Sequence, residues 1–152
     1  GAPVGATVTT DGIAHAWKGK TISTFGGNPV SMAALCATQD ELKACDAPAN
    51  AEARGAELRA GLEAIQGRHP WVGDVRGMGL MQAMEIVKDP MTKEPDNDRT
   101  AAFLQATRDE GLLIGVGGLN GTVVRIGPAL NISSEDIAEG LAKLGRAADK
   151  VG

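Results

Sequence analysis

The sequence predicts a mixed α/β protein whose carboxy-terminal part is a compact α+β domain. Two observations carry this prediction. Several segments have apolar residues at helical spacing, and from Gly67 onward short β-branched or apolar runs are separated by glycine, proline or aspartate. A chain of 152 residues with 43% hydrophobic residues is also long enough to bury a core.

The amino-terminal segment predicts one strand and one helix. Residues 6–10 (Ala-Thr-Val-Thr-Thr) are rich in β-branched side chains and follow a loop with glycine and proline, which favours a short strand. Asn28 is a favoured helix cap and Pro29 a favoured first helical residue. A helix is therefore expected from Pro29 to about Ala44.

Three further helices are expected. Residues 49–66 carry Leu58, Leu62 and Ile65 on one face. Asp98 is expected to cap a helix over residues 99–110, which ends at a glycine. Ser133 or Ser134, followed by two acidic residues, is expected to open a last helix that continues to residue 150.

Four strands are expected between these helices. Each is a short apolar or β-branched run bounded by turn residues, at residues 71–75, 80–87, 112–116 and 122–126. The run Gly-Val-Gly-Gly at 115–118 is followed by a strand and not by a helix, so it predicts a hairpin turn and not a nucleotide-binding loop. A domain boundary is expected near Asp46 to Pro48, which divides the chain into residues 1–46 and 47–152.

Composition and charge exclude several classes of function. A net charge of -4 with a pI near 5.1 provides no basic surface for nucleic acid or an anionic membrane, and no apolar run is long enough to span a bilayer. Cys36 and Cys45 lack the spacing of a zinc site or a disulfide scaffold, so a reducing cytoplasm is expected. His15 and His69 share no ligand spacing, and no metal site is expected.

The segment Ser-Thr-Phe-Gly-Gly-Asn-Pro at residues 23–29 has the design of an anion site. It places the hydroxyls of Ser23 and Thr24 and two glycines directly before a helix amino terminus. Exposed backbone N–H groups and the positive end of the helix dipole favour a phosphate there, and a hydroxyl adds a donor. The alternative is a glycine turn that leads into a helix capped by Asn28.

Arg125 stands in the apolar segment Val-Val-Arg-Ile-Gly-Pro, where an arginine is expected to have a partner. Its planar guanidinium can bind a carboxylate through two parallel hydrogen bonds, which makes it a candidate for an acidic substrate group. The alternative is an ion pair with an acidic residue of the same domain.

A third segment, residues 73–81, places Asp74 and Arg76 beside glycines between two predicted strands. We interpret this pair as an internal salt bridge at a bulged connection, with a structural role.

These three segments stand in an order that resembles the class III aminotransferases. Members of that family are pyridoxal phosphate enzymes with the aspartate aminotransferase-like architecture of fold type I. The resemblance covers essentially the whole chain, and residues 111–118 are most similar to the alanine-glyoxylate branch. It implies that residues 1–46 end the large cofactor-binding domain and that residues 47–152 form the small carboxy-terminal domain.

The resemblance also implies roles for the candidate residues. Thr24 would contact the cofactor phosphate across the interface of a homodimer, with Ser23 beside it as a second contributor. Arg125 would bind the substrate carboxylate. This chain has Pro128-Ala129-Leu130 where the family usually has Pro-Pro-Leu, which leaves Arg125 in register.

The resemblance places the Schiff-base lysine and the aspartate that pairs with the pyridine nitrogen upstream of this sequence. No lysine present follows the family motif, and neither Lys18 nor Lys20 is expected to replace it, so no catalytic residue is expected here. The expected function is part of a transaminase that moves an amino group between an amino acid and a 2-oxo acid, inactive alone. The alternative is a non-catalytic interaction or dimerisation module that retains the fold.

Overall fold

The computed structural model of the chain describes residues 2–152. The chain divides into two compact units, Gly1–Cys45 and Asp46–Gly152. Among the described residues, no helix is both long enough and apolar enough to cross a membrane.

The first unit contains two helices and no strand among its described residues. Helix α1 spans Asp11–Ala16 and helix α2 spans Pro29–Ala44. Asn28 caps α2, and Pro29 is its first residue, as the sequence predicts. The strand predicted at residues 6–10 is wrong, because this segment forms no ladder with another strand in the described part of its unit and extended backbone alone is not a stable strand.

The second unit opens with helix α3, Ala47–Arg68. Asp46 has a φ of 44°, a left-handed conformation that separates α2 from α3. Leu58, Leu62 and Ile65 are buried on one face of α3, as their spacing predicts.

Four antiparallel strands form a single sheet in this unit. The strands are β1 (Val72–Met78), β2 (Met81–Ile86), β3 (Gly115–Gly117) and β4 (Val123–Ile126), in the spatial order β1-β2-β4-β3. The third strand was expected at residues 112–116 but lies further along, because Leu112 is held at the end of a helix by a hydrogen bond from its N–H to the Thr107 carbonyl (2.8 Å). Residues 115–117 are consequently strand and not turn.

The hairpin turn between β3 and β4 lies at residues 118–121, three residues beyond the predicted position at 115–118. Gly118 and Gly121 have φ values of 80° and 70°, which glycine adopts without steric cost. The N–H of Gly121 donates to the Gly118 carbonyl (3.3 Å) and closes the turn.

Two more helices complete the unit: α4 (Asn97–Asp109) and α5 (Ser134–Val151). Asp96, and not the predicted Asp98, caps α4, because its carboxylate accepts from the Arg99 N–H at 3.0 Å. Asp98 lies within the first turn. Ser133 caps α5 by accepting from the Asp136 N–H at 3.1 Å, in agreement with the sequence.

The core lies between the sheet and the helices. Helices α3 and α4 contact the sheet, and α5 packs against both of these helices. The largest fully buried side chains come from the helices and strands alike: Leu62, Met84, Ile86, Phe103, Val124 and Leu144. Alternate strand residues point to the other face, where charged and small side chains meet solvent.

The predicted pair of Asp74 and Arg76 forms a salt bridge on that outer face. Arg76 Nη1 lies 2.5 Å from Asp74 Oδ2 and 2.6 Å from Glu85 Oε2. Both members of the pair lie within β1, and a register shift between Val72 and Asp74 supplies the bulge. The interpretation as a structural ion pair is confirmed, with Glu85 as an additional partner.

Candidate functional site

The loop before α2 forms a tight turn at the amino terminus of a 16-residue helix. The Asn28 side chain accepts from the Ser31 N–H (2.9 Å) and donates to the Phe25 carbonyl (2.9 Å). Gly27 has a φ of 71°, which favours glycine. The turn therefore presents its backbone at the positive end of the helix dipole.

Ser23 and Thr24 keep their hydroxyl groups available on this loop. Both residues are exposed, and neither hydroxyl bonds to another described residue. A Cβ on Gly26 would stand 2.8 Å from Ser23 Oγ, so only glycine lets the serine lie so close to the backbone. The helix cap and the free hydroxyls coexist, and the two interpretations of this segment are compatible.

A cavity of about 330 Å³ lies beside the loop. Ser23, Gly26 and Gly27 are among its lining residues, whereas Thr24 is outside the lining. Of the two exposed residues, Ser23 therefore borders this cavity and Thr24 does not.

Arg125 lies on β4, between β2 and β3. Its register partners are Ala83 on β2 and Gly115 on β3. Val124 is fully buried and Arg125 is exposed, because successive strand residues point to opposite faces. Val124 therefore faces the core, and Arg125 faces solvent on the other side of the sheet.

No acidic side chain among residues 2–152 lies within salt-bridge distance of Arg125. The carboxylates nearest in the register are engaged elsewhere, because Asp74 and Glu85 both bind Arg76. Arg76 donates hydrogen bonds to Asp74 and Glu85, and these bonds, the one to Asp74 first, raise the pKa of Arg76 above its ordinary value. The ion pair considered for Arg125 is therefore absent from the described residues, and its guanidinium is open to an external anion.

The guanidinium of Arg125 lies across β3 above Gly117. A Cβ on Gly117 would stand 3.2 Å from Arg125 Nε and 3.5 Å from Cζ. Arg125 also lines a cavity of about 600 Å³ on the outer sheet face and one of about 270 Å³ that is largely apolar. The arginine thus stands at the edge of space that could hold a small molecule.

The remaining singled-out residues form no second site. His15 Nδ1 lies 2.7 Å from the Asp11 carbonyl within α1, and His69 Nε2 lies 3.1 Å from Asp149 Oδ1. Lys18 and Lys20 are exposed. Within the part of the chain that the structure describes, no group of three metal-ligating side chains comes together.

The family of the chain follows from comparison with known proteins. The sequence profile of the aminotransferase class-III family matches residues 1–148. The chain belongs to the class III aminotransferases.

Individual class III relatives agree with this assignment. A protein of Arabidopsis thaliana named alanine–glyoxylate aminotransferase 2 homolog 2, mitochondrial, is 37% identical over 137 residues, which cover 90% of this chain and 29% of the relative. The chain spans about a third of the length of the curated relatives it matches, and corresponds to their carboxy-terminal third.

Solved structures show that this class III chain has the architecture of the carboxy-terminal portion of fold type I, as expected from the sequence. An aminotransferase of Bacillus anthracis is 35% identical, with a TM-score of 0.85 over 92% of this chain and 34% of that one. An amine transaminase from an uncultivated Pseudomonas species, solved with pyridoxal phosphate bound, is 28% identical, with a TM-score of 0.80 over 93% of this chain and 32% of that one.

The loop before α2 fits the phosphate end of pyridoxal phosphate, the cofactor that this family implies. The fit rests on the hydroxyls of Ser23 and Thr24, which bond to no other described residue and stand just before a helix amino terminus. The N–H of Gly26 is already engaged, because it donates to the Ser23 carbonyl (3.4 Å). Phosphate oxygens accept hydrogen bonds from such hydroxyls, and the helix dipole favours their charge.

Sequence reasoning missed Gly117. The run Gly-Val-Gly-Gly predicts a turn, but Gly115 and Gly117 alternate along β3, where Gly115 pairs with Arg125 and Gly117 pairs with Val123. Glycine at every second strand position, facing a strand that carries an arginine, is the signal that could have indicated space for that side chain.

Proposed function

We propose that this chain forms part of a pyridoxal-phosphate-dependent transaminase that moves an amino group between an amino acid and a 2-oxo acid. In this proposal Arg125 binds the substrate carboxylate, and Thr24 with Ser23 binds the cofactor phosphate. The observation that carries the substrate assignment is the exposed guanidinium of Arg125, which has no acidic partner among the described residues although Arg76 on the same face has two.

Arg125 orients the amino acid. Its fork donates two parallel hydrogen bonds to a carboxylate, which fixes both the position and the rotation of that group. The central place of β4 in the sheet holds the backbone of Arg125 on both sides, so the side chain projects from a rigid base. A substrate held in this way presents its α-carbon in a constant direction.

The loop before α2 holds the phosphate. Ser23 and Thr24 donate from their hydroxyls, and the turn at Gly26 and Gly27 brings backbone close to the anion. When bound, pyridoxal phosphate supplies the electron sink for chemistry at the substrate α-carbon. The residues of this chain supply anchoring at the phosphate and at the carboxylate.

The polypeptide of residues 1–152 is proposed to be inactive by itself. The covalent step needs a lysine aimed at the cofactor, and Lys18 and Lys20 are exposed loop residues without the family motif. Incubation with pyridoxal phosphate, reduction with borohydride and peptide mapping tests this statement. We expect scattered, substoichiometric labelling; a single stoichiometric lysine adduct together with turnover would contradict it.

A homodimer is proposed for the intact enzyme, with the first unit at the contact. None of the described residues of this unit is buried. Six of its large apolar side chains are among those exposed: Val8, Ile13, Trp17, Ile22, Phe25 and Val30. Exposed apolar surface of this kind is expected to be covered by other protein surface, either a further part of the intact enzyme or a partner subunit. The same observation supports the second candidate function, a non-catalytic dimerisation module. The two candidate functions differ in the two proposed anion sites, because only the enzyme would use them to bind cofactor and substrate.

The proposed function is tested with Arg125→Lys in the full-length enzyme. Lysine keeps the charge but cannot form two parallel hydrogen bonds, so kcat/KM for amino acids should fall by about ten- to a hundredfold. Amines that lack a carboxylate should react at an unchanged rate.

Arg76→Lys is the matched control for this experiment. It makes the same substitution on the same sheet face, at an arginine whose hydrogen bonds go to Asp74 and Glu85. It should leave the preference between amino acids and amines unchanged. Equal losses for both substrate types in Arg125→Lys, with a lower melting temperature, would assign Arg125 a structural role instead.

A further inference from the structure

The backbone conformation of Gly117 does not require a glycine. Gly118 and Gly121 have positive φ values, at 80° and 70°, whereas Gly117 lies within β3 and does not. An alanine would therefore fit the backbone at residue 117 without strain. What it would meet is the side chain of Arg125.

The contact between Gly117 and Arg125 is specific in its geometry. A Cβ on Gly117 would stand 3.2 Å from Nε, 3.5 Å from Cζ and 3.6 Å from Cδ of Arg125. The arginine side chain thus lies along β3, from its own register partner Gly115 toward Gly117. No atom stands within 4 Å of a Cβ placed on Gly115, so the crowding occurs at one of these two glycines only.

The atoms that must yield to a Cβ at residue 117 belong to a flexible side chain. Arg125 is exposed and has no acidic partner among the described residues that would hold it in place. A methyl group would therefore displace the guanidinium by a few tenths of an ångström and leave the strands paired. Binding of a carboxylate through two parallel hydrogen bonds is sensitive to such a displacement, because two N–H groups of the guanidinium must be aligned with two oxygens.

We propose that Gly117 is a positioning and specificity-determining residue, which lets the Arg125 guanidinium lie against β3 in the orientation that binds a substrate carboxylate. This inference rests on the proposed function of Arg125. Without a side chain at residue 117 the enzyme accepts amino acids, and a larger residue there shifts its preference toward amines that carry no carboxylate.

The test compares Gly117→Ala and Gly117→Val with Arg125→Lys in the full-length enzyme. For Gly117→Ala we expect KM for amino acids to rise about tenfold, the loss of roughly one charge-assisted hydrogen bond, with kcat little changed. KM for amines without a carboxylate should stay constant, and Gly117→Val should enlarge the difference. A purely structural role would change both substrate types together.

Two glycine controls sharpen this comparison. Gly67→Ala, in α3, adds a Cβ with no atom within 4 Å and should leave both KM values unchanged. Gly115→Ala adds one on β3 without touching Arg125, so a selective loss as large as that of Gly117→Ala would overturn the proposal.

The outcomes separate this inference from the function on which it rests. If Arg125→Lys selectively impairs amino acids and Gly117→Ala does not, the role of Gly117 is wrong and the role of Arg125 stands. If Arg125→Lys affects both substrate types equally, the proposed function itself fails. Thermal melting of each variant verifies that the fold is retained.

Discussion

Arg76 and Arg125 lie in one row across the outer face of the sheet, each opposite Ala83 on the strand between them. Two strand spacings, about 10 Å, separate their backbones. Arg76 is bound by two carboxylates, and Arg125 by none among the described residues. The two arginines share one face of the sheet, Arg76 on an edge strand and Arg125 on a central strand, but they differ in their ion pairing because the acidic side chains lie beside Arg76.

Thr24→Ala and Ser23→Ala should both weaken binding of pyridoxal phosphate to the full-length enzyme, each by about tenfold, because a hydrogen bond to a charged group is lost. Ser23 lines the cavity beside this loop and Thr24 does not, although both residues are exposed. Fluorescence titration of the cofactor would measure both affinities. Unchanged affinity in both variants would leave this loop with its helix-capping role alone.

Gly55→Ala should destabilise the second unit, since a Cβ at this position would stand 2.3 Å from the Gly79 carbonyl carbon. Backbone cannot move aside as a side chain can, so we expect a loss of about 1 to 3 kcal/mol in the free energy of unfolding. Gly67→Ala in the same helix meets nothing within 4 Å and should be neutral or slightly stabilising. Equal unfolding free energies for the two variants in urea would contradict the close approach of α3 to the β1–β2 turn.

Asp96→Ala should cost more stability than Asp98→Ala. The Asp96 carboxylate accepts from the Arg99 N–H at 3.0 Å, and loss of such a cap costs about 0.5 to 2 kcal/mol. Asp98 lies in the first turn without a capping hydrogen bond, where its interaction with the helix dipole is a smaller effect. Urea denaturation of the two variants measures the difference, and the opposite ranking would restore Asp98 as the cap.

The second unit should lose stability in acid when the Glu110 carboxylate becomes protonated. Hydrogen bonds from Lys150 first, and then from Arg146, hold the pKa of its carboxyl below the ordinary value of 4.5. A lowered folded-state pKa stabilises the fold above the unfolded-state pKa, and this contribution is lost as the pH falls through the folded-state pKa. Glu110→Gln should remove this part of the acid sensitivity, measured as the melting temperature between neutral pH and about pH 3. Parallel curves for the two proteins would assign the acid sensitivity to other groups.

Local signals in the sequence determined a large part of this protein. The cap at Asn28, the buried face of α3 and the cap at Ser133 depend on neighbours within a few residues, and the structure confirms them. The ion pair of Asp74 with Arg76 is equally local. The order of three short motifs was sufficient for the family, because each motif consists of residues adjacent in the chain.

Only the tertiary structure decided the features that depend on residues distant in the sequence. Residues 6–10 have strand-forming side chains but no partner strand in their unit, and a strand exists only through its ladder. Whether Arg125 is paired depends on where Asp74 and Glu85 are engaged, far away in the chain. The contact of Gly117 with the Arg125 guanidinium depends on the hairpin register of β3 and β4. Sequence periodicity assigns a residue to a face of a strand, but which groups meet on that face is decided by strand pairing, which no local pattern encodes.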